Sequence, residues 1–378
     1  MCAPRLAPRA AGCARAIVIA HPAADPGGHT SQHHLLRGIM SSESDGQGAG
    51  SPGGNGPPAL KKSVSGSAHA RVSPADLFFK NVTRAAGIGL LVLIAAIAAF
   101  LVIEATSALQ ANTGNFFTTT EWFPNASPPV FGIAALLFGT LLTAVIAMVI
   151  AVPVAVGIAL FITAYAPRRL ATPLAFIVDL LAAVPSVVFG LWGLIVLVPR
   201  MNGLQKWLTD YLGWIPLFST DDGLVGRSIF VASIVLAIMI LPIVAAISRE
   251  IFLQVPNPHK EAALALGATR WEMIRTAVLP YGKPGVISAS MLGLGRAMGE
   301  TIAVALVLPA SFNISWHILS PAGNTIAANV ANGFSEANPI GRGALIASGL
   351  VLFIVTMLVN IMARAVIARR REFSGATG

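Results

Sequence analysis

The chain has 378 residues, of which 55% are hydrophobic and only 11% charged, with a mean hydropathy of +0.75. A soluble domain carries about 25% charged residues, so this composition excludes an ordinary soluble globule and points to a polytopic helical membrane protein. The net charge of +9 does not argue for nucleic-acid binding. The basic residues collect at the ends of apolar segments, where they set topology, and no stretch interleaves many of them with aromatic residues.

Residues 1–70 are rich in Gly, Ser, Pro and Ala, as in "SSESDGQGAGSPGGNGPPALKKSVSGSAHA". Such a segment buries too little apolar surface to offset its ordering entropy, so the sequence predicts a disordered tail. Its apolar run "AIVIA" is too short for a signal-peptide core. Met40 opens a more ordinary polar tail and is a second candidate start, which would leave residues 1–39 outside the native protein. Both cysteines, Cys2 and Cys13, lie in this tail. They cannot staple a membrane core, and no CxxC or His/Cys cluster suggests a metal site.

"SPADLFFKNVTR" follows, with Ser73 placed to cap a helix, Pro74 at its first position and Asp76 in its first turn. It reads equally as a short helix on the membrane surface or as the near end of the first span. Six apolar segments are long enough to cross a membrane: 85–103, 130–165, 173–199, 228–248, 285–309 and 343–363. The second is unusually long and contains Pro153, and no polar turn divides it, so it is expected as one tilted or kinked span. In the third, Pro185 predicts a kink, with Ser186 able to satisfy freed backbone groups and to line a path. Asp179, about two turns in from the start of that span, is expected to hydrogen-bond between helices.

Charge alternates along the connections. Lys61, Lys62, Arg71, Lys80 and Arg84 precede span one, Arg168 and Arg169 sit between spans two and three, and Arg249, Lys260, Arg270, Arg275 and Lys283 lie between four and five. Arg364, Arg369, Arg370 and Arg371 follow span six, whereas the opposite side has Arg200, Lys206, Arg227 and Arg342. The positive-inside rule puts both termini in the cytoplasm. The outer segments "EWFPNASPP" and "SFNISWHILSPAGNTIAANVANGFSEANP" are polar and aromatic enough to face a docking protein, with His317 as a surface contact.

The cytoplasmic segment 249–284 reads "REIFLQVPNPHKEAALALGATRWEMIRTAVLPYGKP". Pro256 and Pro258 break the preceding helix. Lys260 to Leu266 are strong helix formers ended by Gly267. A second short helix, N-capped by Thr269, is expected to stop at Pro280. Two such helices make a compact knob, with Trp271 and Met273 as apolar anchors.

Within span five, "GLGRAMGE" places Arg296 and Glu300 four residues apart, on one helix face. A charge at mid-membrane costs roughly 2.5–3.5 kcal/mol on insertion scales. That face must therefore turn to protein or to a watery path. Two roles are compatible. The pair fixes helix packing, or Arg296 touches an anion in transit, its planar fork suiting phosphate oxygens, while Glu300 holds it in place or releases it as the path changes state. Gly293, Gly295 and Gly299 are no dinucleotide fingerprint, since the spacing is GxGxxxG with no strand before it. Gly295 and Gly299 form a small-xxx-small patch for helix packing.

"EAALALGATRWEMIRTAVLP" resembles the EAA signature of bacterial ABC importer permeases, with Glu261, Ala262, Ala263, Gly267, Leu279 and Pro280 in the signature places and Ala277 where isoleucine is usual. "FGTLLTAVIAMVIAVPVAVGIALFITAYAP", "AAVPSVVFGLWGLIVLVP", "GLGRAMGETIAV" and "NTIAANVANGFSEA" are similar to the phosphate-specific members, of PstC rather than PstA type. The resemblance covers most of residues 70–371. It implies an all-α polytopic membrane protein of six transmembrane helices, an importer-permease (MetI-like) core with cytoplasmic coupling helices, over residues 71–371, followed by a tail at 372–378. It implies that Glu261, Ala262, Ala263, Gly267, Ala268 and Trp271 meet a separate ATPase. It further implies a PstA-type permease partner, two PstB-type ATPase subunits and a PstS-type binding protein. The sequence has no GxxxxGK[ST] phosphate loop, so no cofactor is expected on this chain and ATP is left to the partner. An ABC permease for another oxyanion, or an ion-coupled secondary transporter using Arg296, Glu300 and Asp179 as a relay, are the alternative readings.

Overall fold

The computed structural model describes residues 73–220 and 223–374, with side chains described as far as 365. The expectations for residues 1–70, for Met40 and for the two cysteines lie outside the described residues.

Helix α1 runs unbroken over Pro74–Ala111. Ser73 accepts a hydrogen bond from the Ala75 N–H at 3.3 Å, and Asp76 complements the first turn. The segment before span one is thus the near end of α1 and not a separate surface helix. A hairpin of β1 (Trp122–Phe123) and β2 (Val130–Phe131) follows, pairing Trp122 with Phe131. Helix α2 (Ala134–Leu160) passes through Pro153 and continues into a π turn at Phe161–Tyr165, so the long second segment is one span.

The third predicted span divides. Helix α3 (Arg168–Ala182) stops, and α4 (Ser186–Trp192) starts afresh after Pro185, continuing through a π turn into α5 (Val198–Leu212). Proline has no N–H to give and pushes the preceding residue out of helical geometry. The expected kink is therefore a full break, and the crossing helix is Ser186–Leu212 rather than 173–199. No side chain caps α4, so Ser186 does not take the backbone-satisfying role expected of it.

Helix α6 (Ile229–Leu253) is the most enclosed helix of the bundle. It packs against α2 along a stripe of small residues, Ala144, Ala147, Ala151, Ala155 and Ala159, spaced to face one way. With small side chains between them, two helices approach closely and gain dispersion contacts that lipid does not supply. Helix α7 (Asn257–Ala265) and α8 (Arg270–Met273) form the knob. Helix α8 runs on through a π turn at Ile274–Val278 into α9 (Leu279–Met298). It does not stop at Pro280, as expected from sequence, because that proline falls in the first turn after the π turn, where the missing N–H is tolerated.

The fifth predicted span also divides, at residues 299–301, into α9 and α10 (Ile302–Val307). Among the described residues, five continuous helices are therefore long and apolar enough to cross a membrane, and the fifth predicted crossing is built from two pieces. Helix α11 (Ile326–Gly333) and α12 (Pro339–Ser374) complete the bundle, α12 lying against α1. Among the described residues the architecture is all-α apart from the hairpin.

Candidate functional site

Two regions concentrate the predicted site residues. In the first, α4 and α10 pack together, and a Cβ on Gly190 would lie 2.6 Å from the Ala303 Cα. Only glycine permits this approach. Gly190 meets Ala303 and Gly193, three residues on, meets Val307, so the two helices rise in parallel. Ser186 lies four residues before Gly190, about 6 Å of rise, and Glu300 three before Ala303, about 4.5 Å. The break at Pro185 and the break at Gly299–Thr301 thus sit at nearly one level.

The break separates the two charges of span five. Gly299 leaves helical geometry, and Glu300 turns back so that its Oε1 accepts from the Ala303 N–H at 3.4 Å. Glu300 is only 8% exposed. It forms no ion pair with Arg296. The expectation that the two share a helix face and that Glu300 holds Arg296 is corrected: the i,i+4 relation needs an unbroken helix, and this one ends between them. Arg296 is exposed, on an α9 face with Leu292, Gly295 and Gly299 that no described element covers. Ser186 is half-buried.

Helix α10 is held at its far end too. The Arg227 guanidinium donates to the carbonyls of Leu306, Val307 and Leu308 at 2.9, 3.1 and 2.7 Å. A cation at a helix C-terminus and a carboxylate at its N-terminus both complement the macrodipole. Buried Gln205 fixes the chain beside Arg227 by two bonds to the Gly226 backbone, 2.9 and 3.1 Å. Sequence reasoning assigned Arg227 only to the outer charge tally; no local motif distinguishes an arginine whose acceptors lie 79 to 81 residues away.

The second region is the knob. Gly267 has φ +85°, and its N–H and that of Ala268 bond the carbonyls of Leu264 and Ala263, a Schellman closure that a left-handed glycine makes possible. Thr269 then caps α8 in a capping box. Its Oγ1 accepts from the Glu272 N–H at 3.3 Å, and Glu272 Oε2 accepts from the Thr269 N–H at 2.8 Å. That backbone bond, with a second from the Thr269 hydroxyl, holds the Glu272 carboxyl below its usual pKa. The "TRWE" spacing was the available signal for Glu272.

Ala263 packs inward on Phe252, Val255, Met273, Ile274 and Val278. Glu261, Ala262, Gly267 and Trp271 face out, and Ala268 is half-buried. Trp271 is 55% exposed and Met273 only 9%, so Met273 is a core residue and not the surface anchor expected. Leu266, 89% exposed, takes its place and was not singled out from sequence. At the foot of the knob, Asp179 of α3 accepts from Arg249 of α6 at 3.4 Å, and Arg249 also donates to Glu250 at 2.7 Å. Asp179 thus bridges helices as expected.

The profile of the "Binding-protein-dependent transport system inner membrane component" family matches residues 151–372. The chain belongs to this family. The binding-protein-dependent permeases similar to it include "Phosphate transport system permease protein PstC 2" of Mycobacterium tuberculosis, 49% identical over 77% of this chain and 91% of the relative. "Phosphate transport system permease protein PstC" of Xylella fastidiosa is 43% identical over 83% of this chain and 97% of the relative. Among solved structures, the inward-facing MetNI methionine ABC transporter matches at 18% identity and a TM-score of 0.42, over 63% of this chain and 94% of that chain. This chain is accordingly a membrane-spanning permease subunit of an ABC importer, acting with ATPase and binding-protein components.

Proposed function

We propose that the imported substrate is inorganic phosphate, and that this chain is the PstC-type half of a permease pair completed by a PstA-type subunit. The relatives named as phosphate permeases, 49% identical over 77% of this chain, carry the proposal. The exposed α9 face with Arg296 supports it physically. A guanidinium on a face left open by its own chain, at the depth of two helix breaks, can meet an anion once a second permease subunit closes the other side. Both termini and the knob then lie in the cytoplasm of a cell-membrane protein. Glu261, Ala262, Ala263, Gly267, Ala268 and Trp271 meet a PstB-type ATPase, which binds and hydrolyses the ATP, and a PstS-type protein delivers phosphate from outside. The chain itself carries out no covalent step. ATP binding closes the ATPase pair, the knob moves, and the path switches sides.

Labelled-phosphate uptake by the reconstituted complex, with sulfate as competitor, tests this reading. Uptake should need ATP and resist excess sulfate, and Arg296→Gln should lower uptake with assembly retained. ATP-independent uptake, or equal competition by sulfate, overturns the proposal. Wild-type uptake by the Arg296→Gln complex removes Arg296 from the path.

A further inference from the structure

We infer that the contact between Asp179 and Arg249 is a releasable latch. It holds α3, and through α3 the broken start of α4, in the arrangement described above, and it lets go when the knob moves. The inference rests on the reading above that ATP binding to the partner ATPase moves the knob.

Helix α3 is loosely held. Val178 is its only buried residue, whereas its neighbour α6 is the most enclosed helix of the bundle. Val178 clusters with Val244 and Ala245 of α6, and the small Ala171 and Ala175 pack at the edge of that cluster. Beside this contact an open cavity of about 420 Å³ lies between α3, the π turn at 161–165 and the end of α6. Close-packed faces transmit strain and resist sliding; free volume beside α3 gives it room to move. Thr163 and Thr172 on the cavity wall donate to the carbonyls of Ala159 and Arg168 at 2.8 and 3.4 Å, so their hydroxyls are satisfied without a ligand.

The polar tether is built to change hands. Among the described residues it is the one salt bridge that joins two helices. Nη1 and Nη2 of Arg249 both donate to Asp179 Oδ2 at 3.4 Å, and the Asp179 side chain is half exposed. An exposed pair at that reach is weak. Nε and Nη2 also donate to Glu250 Oε1, at 3.2 and 2.7 Å. One guanidinium therefore faces two carboxylates, one on each helix. When Asp179 leaves, Glu250 keeps the 14% exposed Arg249 side chain paired, so release strands no charge. The position suits coupling. Asp179 lies about one turn before the end of α3, ahead of the Pro185 break, and Arg249 about one turn before the end of α6, ahead of the knob. Both are positioning residues, acting through α4 and not by touching substrate.

The test uses the reconstituted complex, otherwise free of cysteine, with Cys2 and Cys13 replaced by serine and spin labels at Phe176→Cys and Leu253→Cys. These two exposed residues line the cavity from α3 and from α6. The distance between the labels should change when ATP binds, and Asp179→Ala should show the second distance without ATP. In the unlabelled complex, Asp179→Ala should raise hydrolysis without binding protein roughly two- to fivefold, the range open to a weak exposed pair. It should also lower uptake per ATP hydrolysed, and Asp179→Glu should restore both. Glu250→Gln removes the substitute partner, so hydrolysis and uptake should slow together at an unchanged ratio. A purely structural bridge would lower the melting temperature in both variants and leave that ratio alone in both. A wild-type ratio in Asp179→Ala overturns the latch. ATP-driven uptake with a fixed label distance sinks the latch alone, whereas no ATP-driven uptake by the unsubstituted complex sinks the importer reading beneath it.

Discussion

The contact between α4 and α10 gives the sharpest expectation. In Gly190→Ala the new Cβ would lie 2.6 Å from the Ala303 Cα and 3.2 Å from both the Ala303 Cβ and Leu306 Cδ1. Carbon atoms pack best about 3.5–4.0 Å apart, so α10 must retreat by roughly 1 Å. Its backbone cannot give locally, because Arg227 and Glu300 hold its two ends. Overpacking of this kind costs about 1–3 kcal/mol, against which the higher helix propensity of alanine returns at most ~1 kcal/mol. Gly157→Ala is the matched control, since nothing lies within 4 Å of a Cβ there. Thermal unfolding of the purified complex in detergent should show Gly190→Ala melting lower than wild type, and Gly157→Ala unchanged or higher. Transport should fall in Gly190→Ala even in complexes that assemble. Equal melting of the two variants would refute the close approach of the broken helices.

Other outcomes follow from named contacts. Arg227→Ala leaves three carbonyls at the end of α10 without their charged donor, at roughly 1–2 kcal/mol each for partly solvated charge-assisted bonds; Arg227→Lys, with a single ammonium, should restore part of the lost transport. Glu261→Lys should impair co-purification of the ATPase while the permease still inserts, and normal transport in that variant would remove Glu261 from the coupling surface. The Glu272 carboxyl titrates below its reference value of 4.5 in the folded knob, so its contribution is fully present above that value and is lost as pH falls through the lowered folded one. Hydrogen exchange at the Thr269 and Glu272 amides, corrected for intrinsic rates, should lose protection over that acid window in wild type. Glu272→Ala should show the lower protection already at neutral pH.

Much of the fold was legible because the signals are local. Ser73 and Thr269 cap helices where the sequence placed them, and Gly267 closes α7 with the one backbone conformation glycine makes easy. What failed to show were relations decided by distant partners. Met273 and Trp271 are both large and apolar and lie two residues apart, and only the packing of Ala263 and Phe252 over one of them decides which is core. Arg227 looked like one more outer charge because its acceptors sit on a helix 79 residues onward. Proline marked the break in span three openly. The break in span five has no proline, and a count of apolar residues passes over Gly299 without notice.

That second break changes what the two charges of span five are for. On a continuous helix, Arg296 and Glu300 would neutralise each other, and an arginine engaged by its own helix has few donors left for a passing anion. With the helix ended at Gly299, the carboxylate turns inward to the Ala303 N–H, where it supports the start of α10. The guanidinium stays on the open face, without its former partner. The glycine thus separates a buried acid from an exposed base across one turn of chain. Restoring the helix should undo that division. In Gly299→Ala an added Cβ meets nothing closer than the Gly295 carbonyl at 3.5 Å, so the substitution fits the present backbone and also favours helix continuation by up to ~1 kcal/mol. Transport in this variant should drop, and a second substitution, Glu300→Gln, should recover part of it by freeing Arg296. Full transport by Gly299→Ala alone would show that the break is not what leaves Arg296 available.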